Sequence, residues 1–389
     1  MGLIESIMGT DVGAANNSLA SNIFTLLNAE DSNVVFSPWS MFNALAMTYV
    51  GARGNTAAQM ATGLCLKNNP EDERTFDGVA KTLGSLESLG PVEYATANKI
   101  WVHSGFGLLS DFKRIVKNYF GSEGALVDYV NDCEGARKEI NSWVEEQTNN
   151  KIKELITPGL LNQLTRLVLT SAVYFKGKWM HEFRPQSTQT KSFKVSKGKA
   201  VNVQMMYMKA KKDMRYYETE QFQVLALPYK GSRLTLNIIL PKDDDGLSSV
   251  LKSVLKDSSQ LQKCICPEVL FQPIEIRIPR FKFDFDKNYN DILVKLGFQD
   301  MFSDAVADFS GISAVKPGLK VSAVVQKAFI EVNEEGTEAA AATAAIMMSR
   351  CAMPVQRPLT FNADHPFLFF ISDVETKVIL FMGKVVDPS

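Results

Sequence analysis

The sequence predicts an α+β fold in a single domain that spans residues 1–389. Helical periodicity dominates the first 150 residues, whereas segments of alternating apolar residues dominate the rest of the chain. No segment rich in proline, glycine and serine divides the chain into parts. With 46% hydrophobic and 22% charged residues, the chain has the composition of a globular protein and can bury a large core.

The clearest helix signal is the start of the segment FSPWSMFNALAMTYVGARG. Ser37 has a side chain that is preferred at a helix N-cap, and Pro38 follows at the first helical position, where its missing N–H has no partner to lose. A second, amphipathic helix is predicted in the segment CEGARKEINSWVEEQTNNK. Both segments lie in the first part of the chain, which agrees with the α+β pattern.

The strand signals come from apolar segments with a two-residue period. In IEIRIPRFKFDF, apolar side chains alternate from Ile274 to Ile278 and again from Phe281 to Phe285. The segments PFLFFISD and KVILFMGKVV predict a buried hairpin near the carboxyl end. Further strands are predicted in RLVLTSAVYFKGKW, FQVLALPY, LTLNIILP and KVSAVVQKAFIEVNEE.

Charge and hydropathy exclude several classes of function. The net charge of −1 creates no overall field that would recruit nucleic acid or an anionic membrane, so we expect neither as a partner. The sequence contains no run of about 18 apolar residues, and we therefore expect no membrane-spanning helix. The amino-terminal segment MGLIESIMGTDVGAANNSLA lacks the charged, apolar and small-residue regions of a signal peptide.

Residues suited to catalysis or metal binding are sparse. The five cysteines show no disulfide framework, and Cys264-x-Cys266 has no second ligand pair that would complete a metal site. The three histidines, His103, His181 and His365, accompany no nucleophile motif, no His-x-x-x-His pair and no phosphate-binding glycine loop. We therefore expect no enzymatic activity, no bound metal and no cofactor.

The segment EEGTEAAAATAAIMMSRCAMPV, residues 334–355, places many small residues between two strand-like segments. Alanine favours a surface helix, but no apolar stripe would anchor one here. A disordered linker does not explain the position between two strands. As a strand, the segment would have one charge-free face of mostly small residues, from Thr337 to Met347. Such a strand can enter an existing sheet without desolvating a charge.

Five motifs in this sequence resemble those of the serpins, a family of serine protease inhibitors. The segment EEGTEAAAAT resembles the hinge of the family's reactive-centre loop. The other four motifs occur in family order and are NVVFSPWSM, INSWVEEQTNNKIKELI, VYFKGKW and FNADHPFLFFI. The resemblance covers essentially the whole chain and is greatest to extracellular serpins of arthropods, especially those of tick saliva.

The resemblance implies the serpin fold, with three β-sheets, eight or nine helices and an exposed reactive-centre loop at residues 334–355. The family's loop spacing places the scissile bond fourteen residues after Gly336, between Arg350 and Cys351. Arginine suits a trypsin-like pocket with an aspartate at its base. Cleavage after Met347 or Met348, by an elastase- or chymotrypsin-like protease, is the alternative. The implied hinge residues are Glu334, Glu335, Gly336, Thr337, Glu338, Ala339, Ala340, Ala341, Ala342 and Thr343.

The function implied by the resemblance is inhibition as a suicide substrate. A trypsin-like protease cleaves after Arg350, the loop inserts into the main sheet, and the protease is trapped as a covalent acyl-enzyme. Small hinge residues favour this inhibitory type, whereas a non-inhibitory carrier or chaperone is the alternative. As a tick salivary protein, such an inhibitor would act on proteases of coagulation, inflammation or immunity. We expect the protein to be a monomer.

The resemblance also implies which side chains control the opening of the main sheet. The residues at these breach and shutter positions are Ser37, Ser40, Ser171, Trp179 and Gln326. Many serpins have Asn and His where this chain has Ser171 and Gln326, which are still a polar pair that can form a hydrogen bond. Arg280 and Glu334 match positions that form a salt bridge in some members, and a solvated surface pair is the alternative.

Two further signals concern the surface of the protein. The basic residues Lys209, Lys211, Lys212 and Arg215 are a candidate site for heparin-like glycosaminoglycans, with a solvated strand edge as the alternative. Asn16 begins the only N-glycosylation sequon. We expect a secreted glycoprotein whose signal peptide has been removed, with an intracellular location as the alternative.

Overall fold

A computed structural model describes residues 11–28, 31–67, 69–86, 89–210, 214–270, 273–316, 318–335 and 358–389. Within these residues the chain forms nine α-helices and sixteen β-strands, and the strands form three sheets. Six of the helices end by Gln147, and thirteen of the strands begin at or after Leu167. The predicted α+β order is therefore confirmed.

The helices range from six to sixteen residues. They are α1 (Val12–Leu27), α2 (Pro38–Val50), α3 (Gly54–Leu64), α4 (Asp77–Leu86), α5 (Ser110–Phe120), α6 (Cys133–Gln147), α7 (Leu247–Lys256), α8 (Ser258–Ile265) and α9 (Asn290–Lys295).

Each sheet brings together strands from distant parts of the chain. In spatial order, the seven-stranded sheet contains β1 (Val34–Phe36), β16 (Ile379–Val385), β15 (Phe367–Asp373), β9 (Leu234–Pro241), β8 (Phe222–Pro228), β7 (Met214–Glu218) and β10 (Val269–Leu270). The five-stranded sheet contains β12 (Phe281–Asn288), β13 (Val321–Val332), β4 (Leu167–Gly177), β2 (Val92–His103) and β3 (Ala125–Val127). The four-stranded sheet contains β14 (Leu359–Asn362), β11 (Ile274–Pro279), β6 (Lys199–Ala210) and β5 (Gln189–Ser196).

Helix α2 lies between the two larger sheets. Its N-cap is Ser37, whose Oγ accepts a hydrogen bond from the backbone N–H of Ser40 at 3.2 Å, and Pro38 occupies the first position, as predicted. Every residue of α2 is buried, because the helix contacts β2 and β4 of the five-stranded sheet as well as β16 of the seven-stranded sheet. The helix therefore joins the two sheets into one core.

The alternating segment IEIRIPRFKFDF is divided between two sheets. Its first half is β11 of the four-stranded sheet and its second half is β12 of the five-stranded sheet, with Arg280 between them. Ile278 and Phe281 are three residues apart, so the two-residue period breaks at this point. The break in the period marks the position where the chain passes from one sheet to the other.

Helix α6 packs on one face of the five-stranded sheet, and the amphipathic helix predicted there is confirmed. Its apolar residues Ala136, Ile140 and Val144 form a hydrophobic cluster with side chains of β2, β4 and β13. This cluster is separate from the main core around α2. None of the helices in the described ranges combines the length and hydropathy that a membrane span needs.

Candidate functional site

The strand that leads into the predicted hinge is β13, which ends at Val332. Glu334 and Glu335, the first two predicted hinge residues, lie in a turn just after it. The other hinge residues and the predicted scissile bond fall within residues 336–357, which lie outside the described part of the chain. The described part of the site is therefore the sheet that the hinge is predicted to enter, together with the point from which the hinge departs.

We use the name seam for the line along which β4 and β13 pair in parallel. The seam runs from the Val321–Leu167 pair to the Phe329–Tyr174 pair. The outer neighbours of these strands, β12 and β2, are antiparallel to them. A chain that reversed direction after Glu335 and entered the seam would be antiparallel to both β13 and β4. It would replace one parallel pairing by two antiparallel pairings, which are slightly more stable per residue.

Trp179 holds the carboxyl end of β13 at one end of the seam. Its indole Nε1 donates a hydrogen bond to the carbonyl of Asn333 at 2.8 Å, and its backbone N–H donates to the carbonyl of Glu335 at 3.1 Å. The indole is buried and stacked on the ring of Tyr229, with ring centroids 4.5 Å apart. These contacts fix the direction in which the chain leaves β13.

Glu334 is buried at the same end of the seam and accepts three hydrogen bonds on one carboxylate oxygen. The donors are Nε of Arg280 at 2.7 Å, Nη2 of Arg280 and Oγ1 of Thr188. Burial raises the pKa of Glu334, but the hydrogen bonds from Arg280 and Thr188 outweigh burial and lower this pKa below its ordinary value. The predicted Arg280–Glu334 salt bridge is present, with the Glu334 side chain 5% exposed and the Arg280 side chain 44% exposed.

A buried polar cluster crosses the middle of the seam. Gln326 of β13 donates from Nε2 to Oγ of Ser171 on β4 at 2.8 Å, so the expected hydrogen bond between them is present. The same amide donates to the carbonyl of Ser37 at 3.0 Å and accepts from its backbone N–H at 2.8 Å. Ser171 donates to Oγ of Ser40 at 2.9 Å, and Ser40 donates to Oδ1 of Asn98. The cluster thus ties the start of α2 to both strands of the seam.

This polar cluster is almost inaccessible to solvent. Ser37 and Ser40 are fully buried, and Ser171 and Gln326 are each 1% exposed. Hydrogen bonds in such a low-dielectric environment are strong, and a partner left without its bond is costly. Separation of β4 from β13 would break the Gln326–Ser171 bond, so the new strand must offset that loss.

Reasoning from the sequence missed three residues of this site, namely Asn98, Thr188 and Asn333. Asn98 lies opposite Ser171 in the register of β2 and β4, so its role follows only once that pairing is known. Thr188 comes from the segment before β5 and carries no motif. Asn333 lies inside the predicted strand segment KVSAVVQKAFIEVNEE, where no motif marks its carbonyl as the acceptor for Trp179.

The predicted glycosaminoglycan site is divided between two sheets. Lys209 lies in β6 and Arg215 lies in β7, and residues 211–213 between them are outside the described ranges. Nζ of Lys209 is 3.4 Å from a carboxylate oxygen of Glu275, and Arg215 donates to the carbonyl of Pro267 at 3.2 Å. Arg215 is paired with strands on both sides, so the alternative of a solvated strand edge is wrong for Arg215. Lys209 pairs with β11 but lies beyond the residues of β6 that pair with β5, and it is exposed, as the strand-edge alternative expects.

Asn16 cannot carry a glycan in this fold, although it begins a sequon. The residue is fully buried in α1. Its side-chain nitrogen, the atom to which a glycan would be attached, donates to the carbonyl of Ile379 at 3.1 Å and to Oδ1 of Asn17 at 3.0 Å. The predicted glycosylation of Asn16 is therefore wrong, because a bulky, solvated sugar requires a surface position.

The three histidines do not form the surroundings of a catalytic base. His181 is exposed, and His103 is half-buried against aromatic rings. His365 is buried between a carboxylate and a backbone carbonyl. The Asp364 carboxylate and the Pro241 carbonyl, which contact His365, are not nucleophiles of the kind that an imidazole activates.

Comparisons with known proteins show which family shares this sequence and fold. The sequence profile of the family described as "Serpin (serine protease inhibitor)" matches residues 14–388. Serpin B6 of Macaca fascicularis is 42% identical over 377 residues, which cover 96% of this chain and 98% of the relative. The leukocyte elastase inhibitor of Equus caballus is 37% identical, with 97% of this chain and 99% of the relative covered.

Two solved structures illustrate the similarity of the fold. Serpin48 of the insect Tenebrio molitor has a TM-score of 0.85 and 33% identity, with 98% of this chain and all of the other chain covered. Human thyroxine-binding globulin in complex with thyroxine has a TM-score of 0.83 and 27% identity, with coverages of 97% and 98%.

These matches come from mammals and an insect, so the narrower resemblance to tick serpins stays a prediction. The predicted serpin fold, with three sheets and eight or nine helices, is confirmed. On the evidence of the profile, the relatives and the fold, the chain belongs to the serpin family of serine protease inhibitors.

Proposed function

We propose that this protein inhibits trypsin-like serine proteases as a suicide substrate. The observation that carries the proposal is the seam, because the predicted hinge departs next to it at Glu335. A strand that enters the middle of a sheet is flanked by neighbours on both sides, which favours small or apolar side chains. The hinge face from Thr337 to Met347 has that composition.

The proposed reaction begins as ordinary proteolysis. The hydroxyl oxygen of the protease serine attacks the carbonyl carbon of Arg350, and the Arg350–Cys351 peptide bond breaks. The proton taken from the hydroxyl passes through the protease histidine to the new amino group of Cys351. An ester then joins Arg350 to the protease. Hydrolysis of this ester by water would release active protease and a cleaved, spent inhibitor.

Insertion of the hinge competes with hydrolysis of the ester. The fifteen residue steps from Glu335 to Arg350 span ~50 Å as a strand, at ~3.3 Å per residue. The protease is carried over this distance while it is joined to Arg350, and its catalytic site is distorted before water completes the reaction. Loop insertion in serpins is an established example of strand addition and of the release of stored strain.

Arg350 determines the proposed class of target. A guanidinium pairs with the carboxylate at the base of a trypsin-like pocket through charge-assisted hydrogen bonds. Met347 and Met348 offer alternative cleavage sites for chymotrypsin- or elastase-like proteases. The relative named leukocyte elastase inhibitor supports including elastases in the test. The panel should therefore cover coagulation, complement, kallikrein, digestive and elastase-type enzymes, with inhibition rates and covalent complexes recorded for each.

The decisive experiment mixes the protein with trypsin. We expect a complex that resists SDS and a released fragment whose amino terminus is Cys351. The Arg350→Ala variant should lose most of its trypsin inhibition, because the variant cannot pair with the aspartate of the pocket. A fragment that begins elsewhere, or undiminished inhibition by the variant, would show that the assignment of Arg350 is wrong.

A second experiment tests insertion separately from recognition. Thr337→Arg places a charge on the hinge face that becomes buried, and an unpaired buried charge costs several kcal/mol. We expect this variant to be cleaved after Arg350 with little stable complex. Glu338→Arg is the matched control, because that position lies on the other face and already carries a charge. Wild-type trapping by Thr337→Arg would show that the segment does not insert.

A non-inhibitory carrier or chaperone is the second candidate function. The similarity to thyroxine-binding globulin, a carrier solved with thyroxine, supports keeping this candidate. A carrier requires no covalent complex with any protease and no insertion of the loop. Cleavage by every protease of the panel without any SDS-resistant complex would favour this candidate over inhibition.

We also propose that heparin-like glycosaminoglycans bind the basic residues at 209–215. Half of the Lys209 side chain is exposed, but its ion pair with Glu275 reduces the charge available to a sulfate. Elution of wild type and Lys209→Ala from immobilised heparin in a salt gradient tests this site, and identical elution would contradict it. Secretion and the monomeric state are further proposals, to be tested by cell fractionation and analytical ultracentrifugation.

A further inference from the structure

The far end of the predicted loop is held by a short strand at the edge of a sheet. β14 begins at Leu359, shortly after residues 336–357, and pairs in parallel with four residues of β11. Among the strands that the structure describes, it has a single neighbour and lies at the edge of the four-stranded sheet. An edge strand of this length makes few backbone hydrogen bonds. Phe361 of β14 is fully buried, and the contacts of the residues that follow β14 add to the attachment at this end of the loop.

His365 lies three residues after β14 and is 5% exposed. Its Nδ1 is 2.9 Å from Oδ1 of Asp364, and its Nε2 is 2.9 Å from the carbonyl oxygen of Pro241 at the end of β9. A carboxylate and a carbonyl both accept hydrogen bonds and donate none. A neutral imidazole has one N–H, whereas the protonated ring has two. Only the imidazolium therefore satisfies both of these contacts.

The charges around His365 favour the protonated ring. Oδ1 of Asp244 is 3.7 Å from Nδ1 of His365, and Nζ of Lys194 is 2.5 Å from the other oxygen of Asp244. Burial lowers the pKa of His365, but its hydrogen bonds and the charges of Asp364 and Asp244 raise this pKa above the ordinary value. Burial raises the pKa of Asp364, and the hydrogen bond from His365 then lowers it below the ordinary value. Two carboxylates thus face two cations.

Asp364 connects this pair to the strands on either side. Its backbone carbonyl accepts a hydrogen bond from the N–H of Lys194 on β5 at 2.8 Å. Its other side-chain oxygen accepts from Nδ2 of Asn362, the last residue of β14, at 2.8 Å. The imidazolium of His365 then links Asp364 to the end of β9 in the seven-stranded sheet. One side chain therefore ties the end of β14 to a larger sheet.

We propose that His365 is a positioning residue, which as an imidazolium holds β14 in place and keeps the uncleaved loop tethered at both ends. This inference rests on the proposed function, because the tether matters only if the loop inserts. A loop tethered at both ends cannot add a full-length strand at the seam. Release of β14 would allow the uncleaved loop to insert, and the Arg350–Cys351 bond would then no longer be available to a protease.

The contribution of His365 to stability is expected to decrease as the pH rises. Its pKa in the folded protein lies above the unfolded value of about 6.5, so the tether is fully present below that value and is lost as the pH rises through the folded pKa. The uncleaved inhibitor should therefore keep its activity longest in mild acid. We expect its lifetime to shorten as the pH rises into mild alkali and the imidazolium is lost.

The test incubates uncleaved protein at pH values from about 6 to about 9 and then assays trypsin inhibition at one common pH. His365→Arg retains a permanent cation with donors for both acceptors. It should therefore keep the long lifetime and lose the pH dependence. His365→Gln should be short-lived at every pH, and His181→Gln, at an exposed histidine, should behave like wild type. A pH-independent lifetime in wild type, or an unchanged pH profile in His365→Arg, would overturn the proposal.

Hydrogen exchange provides a readout that does not depend on inhibition. The amides of Leu359–Asn362 are compared at one pH in wild type, His365→Arg and His365→Gln, with intact chains confirmed on a gel. Faster exchange in His365→Gln alone supports the tether, even if the protein inhibits no protease and the proposed function fails. Equal exchange in all three proteins contradicts the tether, even if inhibition is established. If His365→Gln does not fold, exchange in wild type relative to His365→Arg above the histidine pKa decides the question.

Discussion

The seven-stranded and five-stranded sheets differ in the way their strands are held together. In the seven-stranded sheet, every pair of neighbours is antiparallel, and β15 and β16 at its interior are buried along their whole length. In the five-stranded sheet, the central pair β4 and β13 is parallel, and the buried residues that link these strands include Gln326 and Ser171. Both sheets have buried apolar side chains, and in the first a buried contact of Asn237 with Ser372 also links β9 to β15. The second differs in its parallel central pair, which the Gln326–Ser171 contact crosses.

This difference indicates which part of the molecule can change. Apolar side chains packed on both faces of a sheet lose many contacts at once if two strands separate. The polar side chains at the seam can exchange their partners for others when a strand enters. We therefore expect perturbations of the seven-stranded sheet to affect every state of the protein, and perturbations of the seam to affect mainly the uncleaved state.

Of the changes considered, cleavage of the loop should have the largest effect on stability, because it should allow the five-stranded sheet to gain a strand. After a cut at Arg350, the freed hinge can add a full-length strand with a hydrogen-bond ladder on each side and remove its Ala, Thr and Met side chains from water. We expect the thermal midpoint to rise by roughly tens of degrees, where a cut in an ordinary loop lowers it or leaves it unchanged. Melting curves before and after limited proteolysis, with both fragments still associated, provide the measurement.

The control for this experiment is nicked Thr337→Arg, in which the buried charge opposes insertion. Its midpoint should rise less than that of nicked wild type. An unchanged or lower midpoint in nicked wild type would contradict insertion at the seam and would favour the carrier candidate. In that case neither of the two large sheets would accept the loop as a new strand.

Truncation of a core side chain in the seven-stranded sheet should have the next largest effect. Phe370 of β15 is fully buried. Phe370→Ala removes most of an aromatic side chain and leaves a cavity, which costs about 3–5 kcal/mol of the free energy of unfolding. Because we propose that the loop enters the five-stranded sheet, uncleaved and nicked protein should be destabilised equally. Urea unfolding of both forms measures this, and a loss confined to one form would argue against a fixed seven-stranded sheet.

Truncation at the seam should have a smaller and state-dependent effect. Gln326→Ala leaves the backbone N–H of Ser37 without its side-chain acceptor, and an unsatisfied buried polar group costs about 1–3 kcal/mol. We expect the uncleaved form to lose this much stability and the nicked form, in which a strand separates β4 from β13, to lose less. Lys327→Ala, at the adjacent position of β13, serves as the control. Equal losses in both forms of Gln326→Ala would mean that these contacts do not seal the seam.

The sequence predicted those parts of the fold that depend on local patterns. The capped start of α2, the helix α6 and the carboxyl-terminal hairpin followed from residue types and spacing. The pairing of β4 with β13 did not follow from spacing, because the two strands are separated by more than a hundred residues and meet only through tertiary packing. Only the family resemblance pointed to the residues that face each other there.

Asn16 and Asn98 show why other features of the fold and the site could not be predicted from the sequence. The sequon at Asn16 is a local motif, but burial of its side chain depends on β16, which contributes the carbonyl of Ile379 from the other end of the chain. The contact of Asn98 with Ser40 likewise depends on the register between β2 and β4 and on the position of α2. Neither the burial nor the register is encoded by neighbouring residues.

We expect the smallest effect on stability from a change at the end of the seam, where Arg280 and Thr188 donate hydrogen bonds to Glu334. The pKa of Glu334 is lowered in the folded state, so its contribution to stability is present above the unfolded value of about 4.3 and is lost as the pH falls through the folded pKa. Glu334→Gln should therefore remove part of the acid sensitivity of the uncleaved protein.

Because 44% of the Arg280 side chain is exposed, solvent screens this pair, and we expect the difference at neutral pH to be at most about 1 kcal/mol. The measurement is the free energy of unfolding of wild type and variant from neutral pH into the acid range. Glu335→Gln is the matched control, since the contact of Glu335 with Trp179 uses its backbone carbonyl and remains in the variant. If the free energy of unfolding of Glu334→Gln has the same pH dependence as that of wild type, the Glu334 carboxylate does not help to hold the end of the seam together. The polar cluster around Gln326 would then hold the seam without it.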